Sequence, residues 1–398
     1  MLRFLSLALF CAGVLRADTA LVLSFFNHSK SANLDWVGES IAQSVHDALA
    51  SEGVLVLDRE DRLEAYRRLA LRPGAELTHA SILKIGESLD ASQVIYGFYE
   101  VLPADNGNPQ SPNPQSKASL RISARVLDVK HTRQGAAYSE VGALEDLGSL
   151  SAHLGWQTLH WLSAKSAPNE RDFMLARPAV RLDAQESYVR GLLSTSAEQR
   201  HRYFTQAARL DEHYSQPCFQ LGRIFWEKKD YKVAAGWLAR VARSDPHYLE
   251  AQFFLGLSRF ANGDFKGAEE SFQLVATAIP LNEVYNDLGV VQAQRQDYAA
   301  AAASFRKALE GDDADPDYHF NLGAALWRAG KYPAAAESFR AVLVRNSGDT
   351  EATALLGRAL KNEGPRPGDT KPDGKARLKT NYEEQAFRQL QAELGIKK

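Results

Sequence analysis

The chain has 398 residues, 45% of them hydrophobic, which is enough for two or three domains with buried cores. Its 47 basic residues against 49 acidic ones leave a formal charge of -2, so no overall field draws nucleic acid or an anionic membrane. The two cysteines, Cys11 and Cys218, lie far apart, and losing the first would exclude an intramolecular disulfide and a tetrahedral cysteine zinc site.

In "MLRFLSLALFCAGVLRADTA", Arg3 precedes an apolar stretch over residues 4–15, and Ala17 precedes Asp18. That is the layout of an export signal over residues 1–17, and its apolar run is too short to span a bilayer. Phe10 is bulky where a small residue normally precedes a lipidated cysteine, which argues against a lipid anchor on Cys11. No later segment is apolar enough to cross a membrane. The expectation is a periplasmic protein with no membrane span after signal removal.

Residues 18–165 alternate strand-like and helix-like stretches. Strands are expected at "ALVLSFF" (20–26), "VLVLD" (54–58), "QVIYGFYEVL" (93–102), "LRISARVLDV" (120–129) and "AAYSEVGAL" (136–144). Between and after them, "DWVGESIAQSVHDALASE" carries Val37, Ile41, Val45 and Leu49 at helical spacing, and "DRLEAYRRLAL", "HASILKIGESLD" and "LGSLSAHLGWQTLHWL" also read as helices. The fold class is an α/β N-terminal domain, a mixed sheet with flanking helices. Phe25, Asn27, Trp36, Gly38, Gly86, Gly97 and Asp128, in that order over about 130 residues, make this region similar to the amino-terminal domain of TolB and to the related domain of the curli secretion protein CsgG. The resemblance implies docking to envelope partners or oligomer formation. Ser24 departs from it, standing where many relatives have proline. Residues 103–117, "PADNGNPQSPNPQSK", read as a flexible projecting loop, and they lack the alternating apolar strand that a membrane pore requires.

After a linker at 166–182, a period appears. Leu221-Gly222, Leu255-Gly256, Leu288-Gly289, Leu322-Gly323 and Leu356-Gly357 are separated by 34, 33, 34 and 34 residues. In the first four units, Ala234, Ala268, Ala301 and Ala335 stand thirteen past the leucine. Leu238, Phe272, Phe305 and Phe339 follow four later, and then Val241, Val275, Ala308 and Val342 three after those. This spacing sets the alanine and the large residue on one face of a second helix, with Leu-Gly on a first. The small glycine and alanine allow close approach at the crossing. "EKKDY", "ANGDF", "RQDY" and "RAGKY" read as the turns between them, and Pro333 opens a second helix. Gly191, Phe204 and Ala207 mark a degenerate first unit, so the array runs over 183–362 with an incomplete terminal unit at Leu356.

These residues resemble the tetratricopeptide repeat, which implies an all-α solenoid following the α/β domain. The family's leading tryptophan is absent, replaced by Cys218, Gln252, Tyr285 and His319. The resemblance also implies a concave face lined by the first helices. Peptide-binding groove candidates there are Phe219, Arg223 and Trp226; Phe253, Leu257 and Phe260; Asn286, Val290 and Ala293; and Phe320, Ala324 and Trp327. The Lys/Asn/Arg set with which chaperone-binding relatives grip a terminal carboxylate is not reproduced.

Chemistry is sparse. No G-x-x-x-x-G-K-[ST], strand-linked G-x-G-x-x-G or G-x-S-x-G stretch occurs. His153 and His160 sit about 10 Å apart along one helix, too far to share a metal. Glu250, Glu283, Asp317 and Glu351 recur at first-helix starts and read as helix-dipole stabilisers. No catalytic residue, metal or cofactor is expected. Beyond a flexible linker at 363–379, "TNYEEQAFRQLQAELG" reads as an amphipathic helix over 380–395, with Thr380 and Glu383 in capping-box spacing. Its stripe of Tyr382, Ala386, Leu390 and Leu394 is expected to pack on the last repeat. The leading expectation is an exported, non-enzymatic scaffold or adaptor for proteins or peptides of the cell envelope. The alternative is an oligomeric component of a secretion or outer-membrane assembly apparatus, so a homo-oligomer stays open.

Overall fold

The computed structural model describes residues 19–29, 31–102, 118–163, 167–365 and 374–394. The expected export signal and the loop at 103–117 lie outside them. Six strands form one mixed sheet: β1 (Thr19–Val22), β2 (Phe26–Asn27), β3 (Leu55–Leu57), β4 (Gln93–Leu102), β5 (Ser119–Asp128) and β6 (Arg133–Ala143). Their order is β3-β1-β4-β5-β6, with β2 pairing parallel to the far end of β4. Pairings of β1 with β3 and β4 are parallel, and those of β5 with β4 and β6 are antiparallel. The expected single strand at 20–26 is broken between β1 and β2. Phe25 there turns its N–H to Gly38 O (3.1 Å) instead of a sheet neighbour.

Helices α1 (Trp36–Ala50) and α4 (Leu147–Leu162) pack on each other over one face of the sheet. On the other face α2 (Arg59–Arg68) and α3 (His79–Ser88) join Leu21, Leu23, Val94 and Leu127 in a second core. α2 starts two residues before the expected 61, because Asp58 and Asp61 form a reciprocal capping box. The segment at 166–182 is not a plain linker. It contains α5 (Glu170–Leu175), whose Phe173 is fully buried, and Arg177 lies 3.6 Å over that ring while bonding to Ser51 and, at 2.8 Å, to Glu52.

From α6 onward the chain is an array of antiparallel helical hairpins. The pairs are α6 (Leu182–Leu193) with α7 (Ala197–Leu210), α8 (Gln216–Glu227) with α9 (Tyr231–Leu238) and α10 (Tyr248–Ala261) with α11 (Phe265–Ala278). They continue as α12 (Asn282–Gln294) with α13 (Tyr298–Gly311) and α14 (Pro316–Arg328) with α15 (Tyr332–Arg345), and α16 (Thr350–Leu360) ends the stack against α15. The crossings are tight, as the glycine–aromatic register requires. A Cβ on Gly191, Gly256, Gly289 or Gly323 would fall 2.5, 2.9, 2.7 or 2.8 Å from the ring of Phe204, Phe272, Phe305 or Phe339. Between hairpin helices a left-handed residue (Lys229, Gly263, Gln296, Gly330) ends the first helix. Asp230, Asp264 and Asp297 then cap the second.

The two regions share one apolar core, which runs from Val22 and Val45 through Tyr188 and Phe219 to Val291. Polar contacts reinforce it: Arg190 donates to Asn33 O (3.1 Å) and Oδ1 (2.8 Å), and Gln216 donates to Asp47. The first hairpins are therefore fixed against α1, and this brings β3 within reach of the concave side. Among the described residues no helix is long and apolar enough to cross a membrane.

Candidate peptide-binding groove

The groove is not empty: residues 374–383, with neither helix nor strand, run through it from the last repeats toward the first. Gly374 starts against Ala324 and Leu355, donating its N–H to Glu351 Oε1 (2.9 Å). Three residues on, the main chain is gripped. Asn286 and Asn321 each donate to Arg377 O (2.9 and 2.8 Å), and Asn321 Oδ1 accepts from Arg377 N (2.7 Å). Lys379 N donates to Asp287 Oδ1 (2.8 Å), and Glu383 N to Glu283 Oε1 (3.2 Å).

The side chains meet acids and rings. Arg377 donates to Asp317 (3.0 Å) and Asp349 (2.7 Å) with its guanidinium 3.7 Å from the Phe320 centroid. Lys379 Nζ lies 2.8 Å from Asp315 and 2.9 Å from Asp317. Tyr382 sets its ring edge-to-face on Phe253 at 4.9 Å, where offset and edge contacts are favoured. Burial would raise the Asp317 carboxyl, but Lys379 and Arg377 outweigh it and hold it below its ordinary value. Asp287 goes the other way. Full burial pushes its carboxyl well up, against the opposing pull of the Lys379 N–H and Asn286.

The C-terminal helix α17 (Glu384–Glu393) begins four residues beyond Thr380, which is exposed and makes no cap. It does not pack on the last repeat. The extended segment before it spans the groove, so the helix arrives at the opposite end, over β3. Tyr382, Ala386, Phe387 and Leu390 join the core shared by the first hairpins and the N-terminal domain, whereas Leu394 remains exposed. Arg388 ties it to Asp58 (2.9 Å) and Asp61 (3.0 Å). A cleft of ≈ 440 Å³ remains between β3, α8, α10 and α17.

Of the twelve groove residues proposed from sequence, Phe253, Asn286 and Phe320 touch the extended segment. Arg223 is bound to Glu250 (2.7 Å) over the Phe254 ring. Trp327 is buried, and its indole N–H reaches Glu363 O (2.7 Å) just beyond α16. The rest are engaged between helices: Phe219 stacks on His247, Trp226 meets Phe254 edge-to-face and Phe260 lies tilted against Phe265, while Leu257, Val290 and Ala324 are core and Ala293 packs against it.

Sequence reasoning missed Asp287 and Asn321, one residue before the leucine of their repeats, together with Asp315 and Asp349. The acids five residues before the leucine do stand in the first turns of their helices, as expected, but three of them have a second role that the sequence did not show. Asp317 pairs with Arg377 and Lys379, while Glu351 and Glu283 accept segment N–H groups. Their recurrence at one repeat position was the available signal. His153 is held by Glu140 (2.7 Å), and Trp156 stacks between it and His160.

The family model for the tetratricopeptide repeat matches residues 219–283, 286–350 and 320–364. The hairpins within residues 219–364 are tetratricopeptide repeats. Solved structures similar to this repeat region include YrrB, described as a tetratricopeptide repeat protein with an unusual peptide-binding site (18% identity, TM-score 0.36). That match covers 40% of this chain and 82% of YrrB. MamA from Desulfovibrio magneticus RS-1 (residue 41 to its end) is 23% identical at a TM-score of 0.37, covering 42% of this chain and 95% of that one. No curated protein matches the chain. Proteins of this repeat class are protein-interaction scaffolds, and here the concave side of the repeats already carries a segment of chain.

Proposed function

We propose that this protein is an exported, non-enzymatic scaffold of the bacterial cell envelope, whose tetratricopeptide groove holds extended segments of partner proteins while the N-terminal domain docks to envelope components. The single observation that carries the reading is the grip of Asn286, Asn321 and Asp287 on the backbone of residues 377–379. Backbone hydrogen bonds at successive repeats hold any chain that lies extended there. The signal-like first seventeen residues and the TolB-like order of Phe25, Trp36, Gly38 and Gly97 support export and docking.

Crosslinking in native cells followed by envelope fractionation tests the proposal. Envelope proteins are expected to crosslink to the wild-type chain and to be lost with Asn286→Ala/Asn321→Ala. A chain that fractionates with the cytoplasm, or partners retained in full by the double variant, would overturn it.

A further inference from the structure

We infer that the segment in the groove is a stand-in for the partner, and that the groove's ligand class is an extended basic peptide with arginine and lysine two residues apart and an aromatic three beyond. This deepens the groove reading above and rests on it.

The argument starts from what the groove would lose if the segment left. Asn286, Asn321 and Asp287 are each 0–1% exposed, and buried polar groups without partners are costly. A partner can therefore displace the segment only by bringing back the same groups: a carbonyl between the two asparagines, an N–H to Asn321 and a second N–H to Asp287. The main chain of any extended peptide supplies those. It does not supply charge. Asp315, Asp317 and Asp349 converge on Arg377 and Lys379 from two repeats, and Glu351 Oε2 lies 4.0 Å from the same guanidinium. A neutral or acidic peptide would leave this cluster of carboxylates facing one another without a counter-charge, at short range and partly out of water.

Spacing follows from geometry. Successive side chains of an extended chain point to opposite sides, so residues two apart share a side. Arg377 and Lys379 both reach Asp317, and Leu378 between them packs into the apolar cores instead. The guanidinium can bond two carboxylates at once and still lie on the Phe320 ring, which a lysine could not reproduce. Tyr382 then fills the slot on Phe253. The motif read by the groove is Arg-x-Lys-x-x-aromatic.

Fluorescence anisotropy on the full chain tests this, using Arg377→Gln/Lys379→Gln to loosen its own segment. The probe is a labelled peptide of residues 374–391, added in trans. The tethered segment lowers every peptide's apparent affinity by the same factor, so ratios between peptides are unaffected. The native peptide is expected to bind at least about 30-fold more tightly than its Arg377→Gln/Lys379→Gln version, with the margin shrinking in high salt. Adding Asp317→Asn/Asp349→Asn to the chain should erase that margin. Equal binding of the neutral peptide would overturn the inference and leave backbone reading intact. If no peptide binds up to millimolar concentration, the groove reading falls as well. Light scattering supplies the last arm: a dimer that Arg377→Gln/Lys379→Gln dissolves makes a second copy the occupant and overturns the choice of partner.

Discussion

Asn286 and Asn321, one repeat apart, are bonded to each other (2.7 Å) and converge on a single carbonyl oxygen, that of Arg377. Each is buried, so neither can turn to water if the other is removed. Asn321→Ala takes away the donor to Asn286 Oδ1, one donor to Arg377 O and the acceptor for Arg377 N, at a cost of ~1–3 kcal/mol. Trypsin reads the result directly, because Arg377 and Lys379 are cleavage sites that docking shields. Cleavage after Arg377 should speed up by about tenfold or more in Asn321→Ala. It should stay unchanged in Asn381→Ala, whose side chain is exposed. Equal rates in wild type and Asn321→Ala would show that the asparagine pair does not hold the segment.

Asp287 makes the docking sensitive to pH in a direction opposite to an ordinary ion pair. Its carboxyl sits above the usual 3.8 because burial dominates, so the protonated form favours the docked state. That contribution is complete below 3.8 and is lost as pH rises through the raised value. Asp287→Asn keeps an oxygen for Lys379 N and abolishes the charge. The variant should therefore hold its segment better than wild type at neutral and alkaline pH, with the difference closing on acidification. Hydrogen exchange at Lys379 N measures it, and a variant less protected than wild type at pH 8 contradicts the assignment.

The repeat crossings predict a graded response to added methyl groups. A Cβ at Gly289 would stand 2.7 Å from the Phe305 ring, whereas at Gly357 it would meet nothing within 4 Å. Gly289→Ala should cost ~1–3 kcal/mol through overpacking. Gly357→Ala should be neutral or stabilise by up to ~1 kcal/mol, because helical alanine is favoured over glycine. Denaturant titration of the two variants decides it, and equal effects would mean that the crossings relax freely.

That contrast also explains which parts of the structure could be read beforehand. The hairpins were legible because glycine must face a large side chain at each crossing, and that constraint repeats in sequence. The sheet was legible from apolar runs, although the break at Phe25 was not, since it depends on a hydrogen bond to Gly38. The occupied groove was hidden. "GPRPGDTKPDGK" has the composition of a linker, and an extended segment held by side chains of distant helices carries no periodicity of its own. Asp317 could be explained locally as a helix-start acid, which concealed its second role as a partner for Arg377 and Lys379.

The far end of the tail gives a further pH response, through His46. Its Nδ1 lies 3.0 Å from Asp47 Oδ1 and its Nε2 3.4 Å from Asp58 Oδ1, and Asp58 also receives Arg388 of α17. Burial alone would lower the imidazole, but the two carboxylates prevail and raise it from 6.5 to about 9. A raised base stabilises the fold fully below 6.5 and loses that contribution as pH climbs through about 9. The displacement sets an upper bound of ~3 kcal/mol on the effect. Thermal stability should accordingly decline between pH 7 and 10 in the wild type and stay flatter in His46→Gln, which carries no titrating charge. Arg388→Ala separates the helix latch from the histidine: it should release α17 from Asp58 and Asp61, raising hydrogen exchange across residues 384–391. The histidine keeps Asp47 and Asp58 as partners in that variant, so its alkaline decline should persist. A wild-type profile as flat as that of His46→Gln would remove His46 from the account.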